Sequence, residues 1–241
     1  MTAAEPVFLD AGEAALVVEF GRTVDAAIHN RVLALDAALT RNTPPGVVEL
    51  VPTIRSLMIH YDPLIIDRAS LIAAVRNAET DSAAFEPARR WSIPCCYDPE
   101  FGEDIAQVAA MTGMTPERVV ALHAGAAYRI FMYGFLPGFA YLGGLPPELA
   151  VPRRVTIRPP HPPGTIMIGA GMGLITTFAM PTGWWLVGRT PERMFSLDRE
   201  RTFFAAVGDA IAFEPIDMAT FRTLETRAAA GEVVARMTPL Q

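Results

Sequence analysis

The first ninety residues alternate between apolar runs of strand length and apolar positions at helical spacing. Ala14–Phe20 (AALVVEF) reads as a strand. Ile28, Val32, Leu35 and Leu39 then fall at intervals of four, three and four, which puts them on one face of a helix. The breaker run Asn42–Gly46 (NTPPG) ends it. Val47–Val51 and Leu57–Tyr61 predict two short strands about a turn at 52–55. Asp62-Pro63 predicts a second helix, with Asp as its N-cap and Pro in its first turn, and Ile65, Ala69, Ile72 and Val75 as its apolar face. A strand follows over Arg89–Pro94, after the polar, aperiodic stretch Glu79–Pro87 (ETDSAAFEP), which reads as a linker.

That order, β-α-β-β-α-β, is the split arrangement of ferredoxin-like domains. Beyond the linker the texture changes. Ile105–Met111 and Pro116–His123 predict two short helices, the second started by Thr115-Pro116. Tyr128–Pro215 reads as short strands punctuated by Gly and Pro, a barrel or sandwich pattern. Arg222–Arg236 predicts a terminal helix interrupted at Gly231. The expected class is therefore α+β, in two domains, 1–88 and 89–241.

Phe131–Gly143 (FMYGFLPGFAYLG) packs three glycines, one proline and five aromatics into thirteen residues. That density breaks a helix. A folded loop leaving a strand and lining a concavity fits it best, because aromatics supply large flat walls and glycines permit tight turns.

The chain carries a formal net charge of −6, and its arginines are scattered. Neither nucleic acid nor an anionic membrane is an expected partner. The N-terminus has no basic-then-apolar leader, and the longest uncharged stretch, Thr165–Val187, is broken by glycines and Pro181. The two cysteines, Cys95 and Cys96, are adjacent, which disfavours a disulfide between them, and they lack zinc-type spacing. A cytoplasmic location is the expectation.

Candidate chemistry is sparse. Ile168–Leu174 (IGAGMGL) looks like a phosphate loop, but the residues that follow, ITTFAMPTGWW, do not open a helix, so bends between strands are expected. The histidines do not cluster: His29 is expected in solvent, His60 at a strand end, and His123 at a helix end where positive charge is favoured. His161, in PPHPPG, is the imidazole nearest the glycine-rich region. Asp98, Glu100, Glu103 and Asp104 are expected to form a solvated turn and helix start, with no metal. No nucleophile elbow exists. Arg153, Arg154, Arg158 and Arg189 flank the glycine-rich segments and suit a carboxylate or phosphate; the competing reading is salt bridges to Glu148, Asp198 or Glu192.

Several ordered blocks carry a resemblance: Gly134-Phe135-x-Pro137-Gly138-Phe139-x-Tyr141-Leu142-Gly143, Pro152-Arg153-Arg154, Arg158, Pro162-x-Gly164-Thr165, and Gly183-Trp184-x-Leu186-x-Gly188-Arg189-Thr190. Together they resemble the allophanate hydrolase subunit 1 family, which includes the B-type subunit of 5-oxoprolinase (PxpB), the kinase inhibitor KipI and subdomains C and D of the carboxyltransferase domain. The resemblance implies a ferredoxin-like N-terminal domain followed by a cyclophilin-like β-barrel. It implies a partner of the subunit 2 kind (the C-type subunit, with a related carboxyltransferase-domain barrel) and a third, 5-oxoproline-hydrolysing protein. It also implies an ATP-dependent opening of 5-oxoproline to glutamate, in which phosphorylation of the poorly electrophilic lactam would prepare it for water.

One block departs from the family pattern. Where relatives carry Gly-Gly-x-Gln-Thr-Gly-x-Tyr-Pro, this chain reads Gly169 to Thr177 with Met172 and Thr176 in place of the glutamine and tyrosine. Met172 cannot donate a hydrogen bond. The expected pocket for a small amide or carboxylate has Phe135, Pro137, Gly138, Phe139 and Tyr141 as one wall. Gly164, Thr165, Gly169 and Met172 stand opposite, and Arg158 or Arg189 is the anion-binding group. No catalytic residue is assigned. Two rival readings follow from the same family: a biotin-dependent carboxyltransferase component needing a biotin carboxylase partner, and a KipI-like regulator that binds and inhibits a histidine kinase. The chain contains no lysine and so no biotinyl site of its own.

Overall fold

The computed structural model describes residues 5–80, 87 and 89–240. The chain divides into two compact units, residues 1–86 and 87–241. Of the linker expected over Glu79–Pro87, positions 81–86 lie outside the described residues.

The first unit contains β1 (Val7–Asp10), β2 (Ala15–Glu19), α1 (Ala26–Arg41), β3 (Val47–Pro52), β4 (Ser56–Tyr61) and α2 (Arg68–Thr80). The four strands form one antiparallel sheet in the order β1-β2-β4-β3. Leu16, Val18, Leu57 and Ile59 alternate inward from the two central strands and pack on Val32, Leu35 and Leu39 of α1 and on Leu71 and Val75 of α2. Asp25 caps α1, its carboxylate accepting the Ala27 and Ile28 N–H groups at 2.7 and 3.0 Å.

Three expectations change here. The edge position beside β2, which the strand after α2 was expected to fill, is taken by β1, so the ferredoxin-like sheet is completed from its N-terminal side. Asp62-Pro63 opens a turn and not a helix: Ile65 N–H bonds to the Asp62 carbonyl, Ile65 is 64% exposed, and α2 begins only at Arg68, where Asp67 accepts from Ser70 N–H. His29 is fully buried on α1, because the helix is covered on more of its circumference than its aliphatic stripe indicates.

The second unit holds β5 (Arg89–Cys96), α3 (Ile105–Thr112), α4 (Pro116–Gly125), β6 (Tyr128–Tyr133), β7 (Ala140–Gly143), a 3-10 turn (Pro147–Leu149), β8 (Arg158–His161), β9 (Thr165–Gly169), β10 (Met172–Ile175), β11 (Met180–Thr182), β12 (Trp185–Arg189), β13 (Ala210–Ile216), α5 (Met218–Ala229) and β14 (Arg236–Pro239). Strands run β12-β9-β10-β7-β6-β13-β5, and β5 closes back on β12 through Cys96 and Arg189, making a cyclophilin-like barrel. β14 adds to the edge of β5, and β8 pairs with β11 in a separate ribbon.

β5 is thus the strand expected over Arg89–Pro94, but it belongs to this barrel. It is buried along most of its length and pairs in parallel with β13 from Ala210↔Arg90 to Ile216↔Cys96. Ile93, Ile130, Leu142, Ile166, Ile168, Ile175 and Phe213 fill the barrel core, and Val108 of α3 and Val119 of α4 extend it. Closure brings β12 very near β5: a Cβ on Gly188 would lie 2.9 Å from both Cys95 Sγ and the Cys96 carbonyl oxygen. The terminal helix starts earlier than expected, at Met218 under an Asp217 cap, and ends at Ala229, so Arg236 falls in β14.

Ile168–Leu174 forms the β9–β10 hairpin. Its two central residues, Ala170 and Gly171, have φ of +50° and +76°, as a tight two-residue hairpin turn requires. A strand follows it, so no helix N-terminus is available to hold phosphate.

Candidate functional site

A cavity of about 270 Å³ opens at the barrel end where β9 starts and β12 finishes. Gly164, Thr176, Thr177, Arg189, Glu192, Arg193, Phe195 and Glu225 line it. Gly164 makes its floor. It has φ +79°, its N–H donates to the Thr176 carbonyl at 2.9 Å, and an added Cβ would lie 2.3 Å from the Thr190 oxygen. The β6–β7 loop reaches the same place: Thr177 Oγ1 donates to the Pro137 carbonyl at 2.7 Å, and Gly138 packs on Phe195.

Arg189 is held from several sides. Its Nε–H donates to the Pro163 carbonyl at 3.0 Å, and Nη2 lies 2.9 Å from Glu225 Oε1. The guanidinium lies over the Phe101 and Phe221 rings, 5.3 and 5.1 Å from their centroids. A smaller cavity of about 240 Å³, lined by Glu100, Glu103, His161 and Thr165, shares Arg189 with the first cavity.

The structure brings together Pro137, Gly138, Gly164 and Arg189, with Thr165 in the adjoining cavity. Phe135, Phe139 and Tyr141 form an edge-to-face and tilted series that leads away to Trp184, with centroid separations of 5.5, 5.5 and 6.3 Å. Phe139 is buried, whereas Phe135 is 72% exposed at φ +71°. Gly169 and Met172 lie at the opposite end of β9 and β10, about 13 Å along the strand from Thr165. There Gly169 packs against the Trp184 ring and the Arg153 stem.

Arg158 is committed elsewhere. One amino group bonds to Glu103 Oε2 at 2.8 Å and the other to Asp104 Oδ1. Arg154 Nη1 reaches the same Asp104 oxygen at 3.0 Å, and Asp104 Oδ2 accepts the Leu186 N–H at 2.9 Å. Asp104, expected on a solvated turn, is fully buried. His161 Nε2 stands 3.3 Å from Glu103 Oε1, and its Nδ1 is 2.7 Å from the Pro159 carbonyl. The arginine partners are therefore Glu103, Asp104 and Glu225, not Glu148, Asp198 or Glu192. Glu192 pairs with Arg199 at 2.9 Å.

Asp104, Glu192, Arg193, Arg199 and Glu225 are the polar residues that the sequence did not single out for the site. Their pairings reach from 7 positions, between Glu192 and Arg199, to 54, between Asp104 and Arg158, and no motif spacing marks them.

His123 is not a helix-end cation. It is fully buried, its Nδ1 meets the Tyr97 hydroxyl at 2.8 Å, and its ring stacks on Phe213. Burial pushes its pKa down to about 3, so it is neutral at physiological pH. Burial likewise pushes up the Cys95 and Cys96 thiols. Among the described residues no group of three or more His, Cys, Asp or Glu side chains is arranged to hold a metal ion, and no helix is long and apolar enough to cross a membrane.

Residues 6–205 match the family described as carboxyltransferase domain, subdomain C and D. The chain belongs to that family. Two relatives are named as the B subunit of 5-oxoprolinase. The Bacillus subtilis (strain 168) protein is 30% identical over 214 residues, covering 84% of this chain and 89% of its own length. The Escherichia coli O157:H7 protein is 34% identical over 208 residues, covering 85% and 93%. The solved structure of TTHA0988 is 32% identical with a TM-score of 0.75, over 84% of this chain and 40% of its own, so this chain spans about two fifths of that protein. Kluyveromyces lactis urea carboxylase matches 98% of this chain and 24% of its own with a TM-score of 0.79 but 17% identity, a likeness of fold.

Within this carboxyltransferase-domain chain, Met172 starts β10 and Thr176 directly follows it. Met172 is buried at the hairpin. Thr176, at the cavity, is used internally: its hydroxyl accepts the Thr165 N–H at 3.1 Å and donates to the Pro162 carbonyl at 3.4 Å.

Proposed function

We propose that this chain is one component of an ATP-dependent amide-hydrolysing complex that opens 5-oxoproline to glutamate. The observation that carries this reading is its 30–34% identity to B subunits of 5-oxoprolinase over more than four fifths of both chains. The partners are a C-type carboxyltransferase-domain subunit and a third, hydrolase component. The complex works in the cytoplasm.

ATP is assigned to the complex and not to a pocket of this chain. A triphosphate wants open backbone N–H groups at a helix start or several free cations. The hairpin at Ala170-Gly171 offers no helix start, Arg158 is engaged by two carboxylates, and the 270 Å³ cavity has Glu192 and Glu225 in its wall. The residues lining this cavity do not fit a nucleotide. They suit a molecule of amino-acid size, since ligand sites run from about 300 Å³ upward.

The test is reconstitution of the chain with its two partner proteins, assayed with 5-oxoproline and, separately, with urea. Glutamate formation that needs ATP and every component is the expected result. Urea carboxylation with a biotin carboxylase partner, and no turnover of 5-oxoproline, would replace this reading with the carboxyltransferase one.

A further inference from the structure

Glu192 is buried with its side chain wholly withdrawn from solvent, yet it adjoins a cation that has no partner among the described residues. Its Oε2 accepts the Val234 and Ala235 N–H groups at 2.6 and 2.8 Å. Its Oε1 accepts the Arg193 N–H at 2.8 Å and an Arg199 amino group at 2.9 Å. Arg199 in turn donates to the Arg193 carbonyl at 2.8 Å. Both backbone polar groups of Arg193 are thus clamped by one buried ion pair, while the Arg193 guanidinium is exposed and bonds to nothing among the described residues. It stands on the wall of the 270 Å³ cavity with Arg189, whose guanidinium has N–H groups beyond the two already committed.

We infer that Arg193 and Arg189 form a clamp for the carboxylate of a small monoanionic ligand in this cavity. The inference rests on the proposed function for the identity of that ligand, a lactam carboxylic acid of the 5-oxoproline class. Charge supports a monoanion. Arg199 neutralises Glu192 from behind the wall and Arg189 pairs with Glu225, which leaves the Arg193 guanidinium as about one unit of uncompensated positive charge at the cavity. Size agrees, and so does geometry, because a guanidinium presents paired donors to a planar carboxylate. Fixing the Arg193 backbone lowers the ordering cost of that contact. The Thr176 and Thr177 hydroxyls already donate to backbone carbonyls, so the arginines are the charged donors that a carboxylate would meet.

Calorimetric titration of the full chain, alone and in the reconstituted complex, tests this with 5-oxoproline, with 2-pyrrolidinone, which lacks the carboxylate, with glutamate and with inorganic phosphate. We expect saturable binding of 5-oxoproline and none of 2-pyrrolidinone. Arg193→Gln should weaken binding tenfold or more, and Arg193→Lys should restore part of it. The melting temperature of both variants should stay unchanged, since the side chain makes no internal bond. Equal binding by wild type and Arg193→Gln overturns the clamp, as does binding of phosphate but of no carboxylate, or absence of 5-oxoproline and glutamate binding from both chain and complex. A complex that opens 5-oxoproline with full activity in Arg193→Gln overturns the clamp and leaves the proposed function standing. A complex inert toward 5-oxoproline whose chain binds glutamate through Arg193 supports the clamp and removes the proposed function.

Discussion

Arg154 Nη1 lies 3.0 Å from Asp104 Oδ1, on a carboxylate wholly withdrawn from solvent. The second oxygen of the same carboxylate accepts the Leu186 N–H, so one side chain ties the start of α3 to β12 and to the segment that leads into β8. A buried carboxylate is tolerable only with such partners. Removing its charge leaves Arg154 without its counter-ion and Arg158 with Glu103 alone. Asp104→Asn is expected to cost about 3 kcal/mol, a fall in Tm on the order of 6–12 °C for a chain of this size, measured by thermal denaturation.

His123 predicts a pH dependence. Its folded pKa, about 3, is below the ordinary value of 6.5, because burial disfavours the imidazolium. Between those values the unfolded chain binds a proton that the folded chain does not. Stability is full above pH 6.5 and falls by about 1.4 kcal/mol per unit on acidification toward pH 3. His123→Phe keeps a ring against Phe213 and is expected to flatten this slope by one proton in a denaturation series from about pH 7 to about pH 5.

Gly164→Ala would put a methyl group 2.3 Å from the Thr190 oxygen in a backbone conformation with φ +79°. The strain alone is about 1–3 kcal/mol, and the cavity floor must move. The expected result is a lower Tm together with weaker binding of 5-oxoproline to the fraction that remains folded, read by calorimetry.

Phe135 holds a left-handed backbone conformation while its ring is 72% exposed. A non-glycine residue there costs about 1–2 kcal/mol, which glycine would relieve while losing the contact with Phe139. Phe135→Gly is expected to leave Tm within a few degrees and to reduce turnover of the reconstituted complex. Unchanged turnover would show that the exposed ring serves neither ligand nor partner.

Cys95 and Cys96 are buried, and burial raises both thiols. The thiolate is the reactive form. Iodoacetamide should leave both unmodified in the native protein near neutral pH and label both after denaturation, as mass spectrometry would record.

Local pattern alone determined much of this protein. The period-four and period-three spacing of Ile28 to Leu39 placed α1, the Thr115-Pro116 start placed α4, and β-branched residues after the glycines marked Ile168–Leu174 as a strand bend. These signals are short-range, because helix period, capping and turn chemistry act over a few residues. Tertiary structure decided the rest. Arg89–Pro94 reads as a strand in isolation, but only its parallel pairing with a segment 120 positions later assigns it to the barrel. His29 looks solvated and His123 looks like a helix-end cation, on helices whose hidden faces depend on what packs there. Asp104 looks like an acid on a solvated turn until Arg154 and Arg158 arrive from another segment, and Glu192, a candidate partner for Arg153 to Arg189, pairs with Arg199 instead. Strand partners and counter-ions are chosen by proximity in space, and nothing in the spacing along the chain records that proximity.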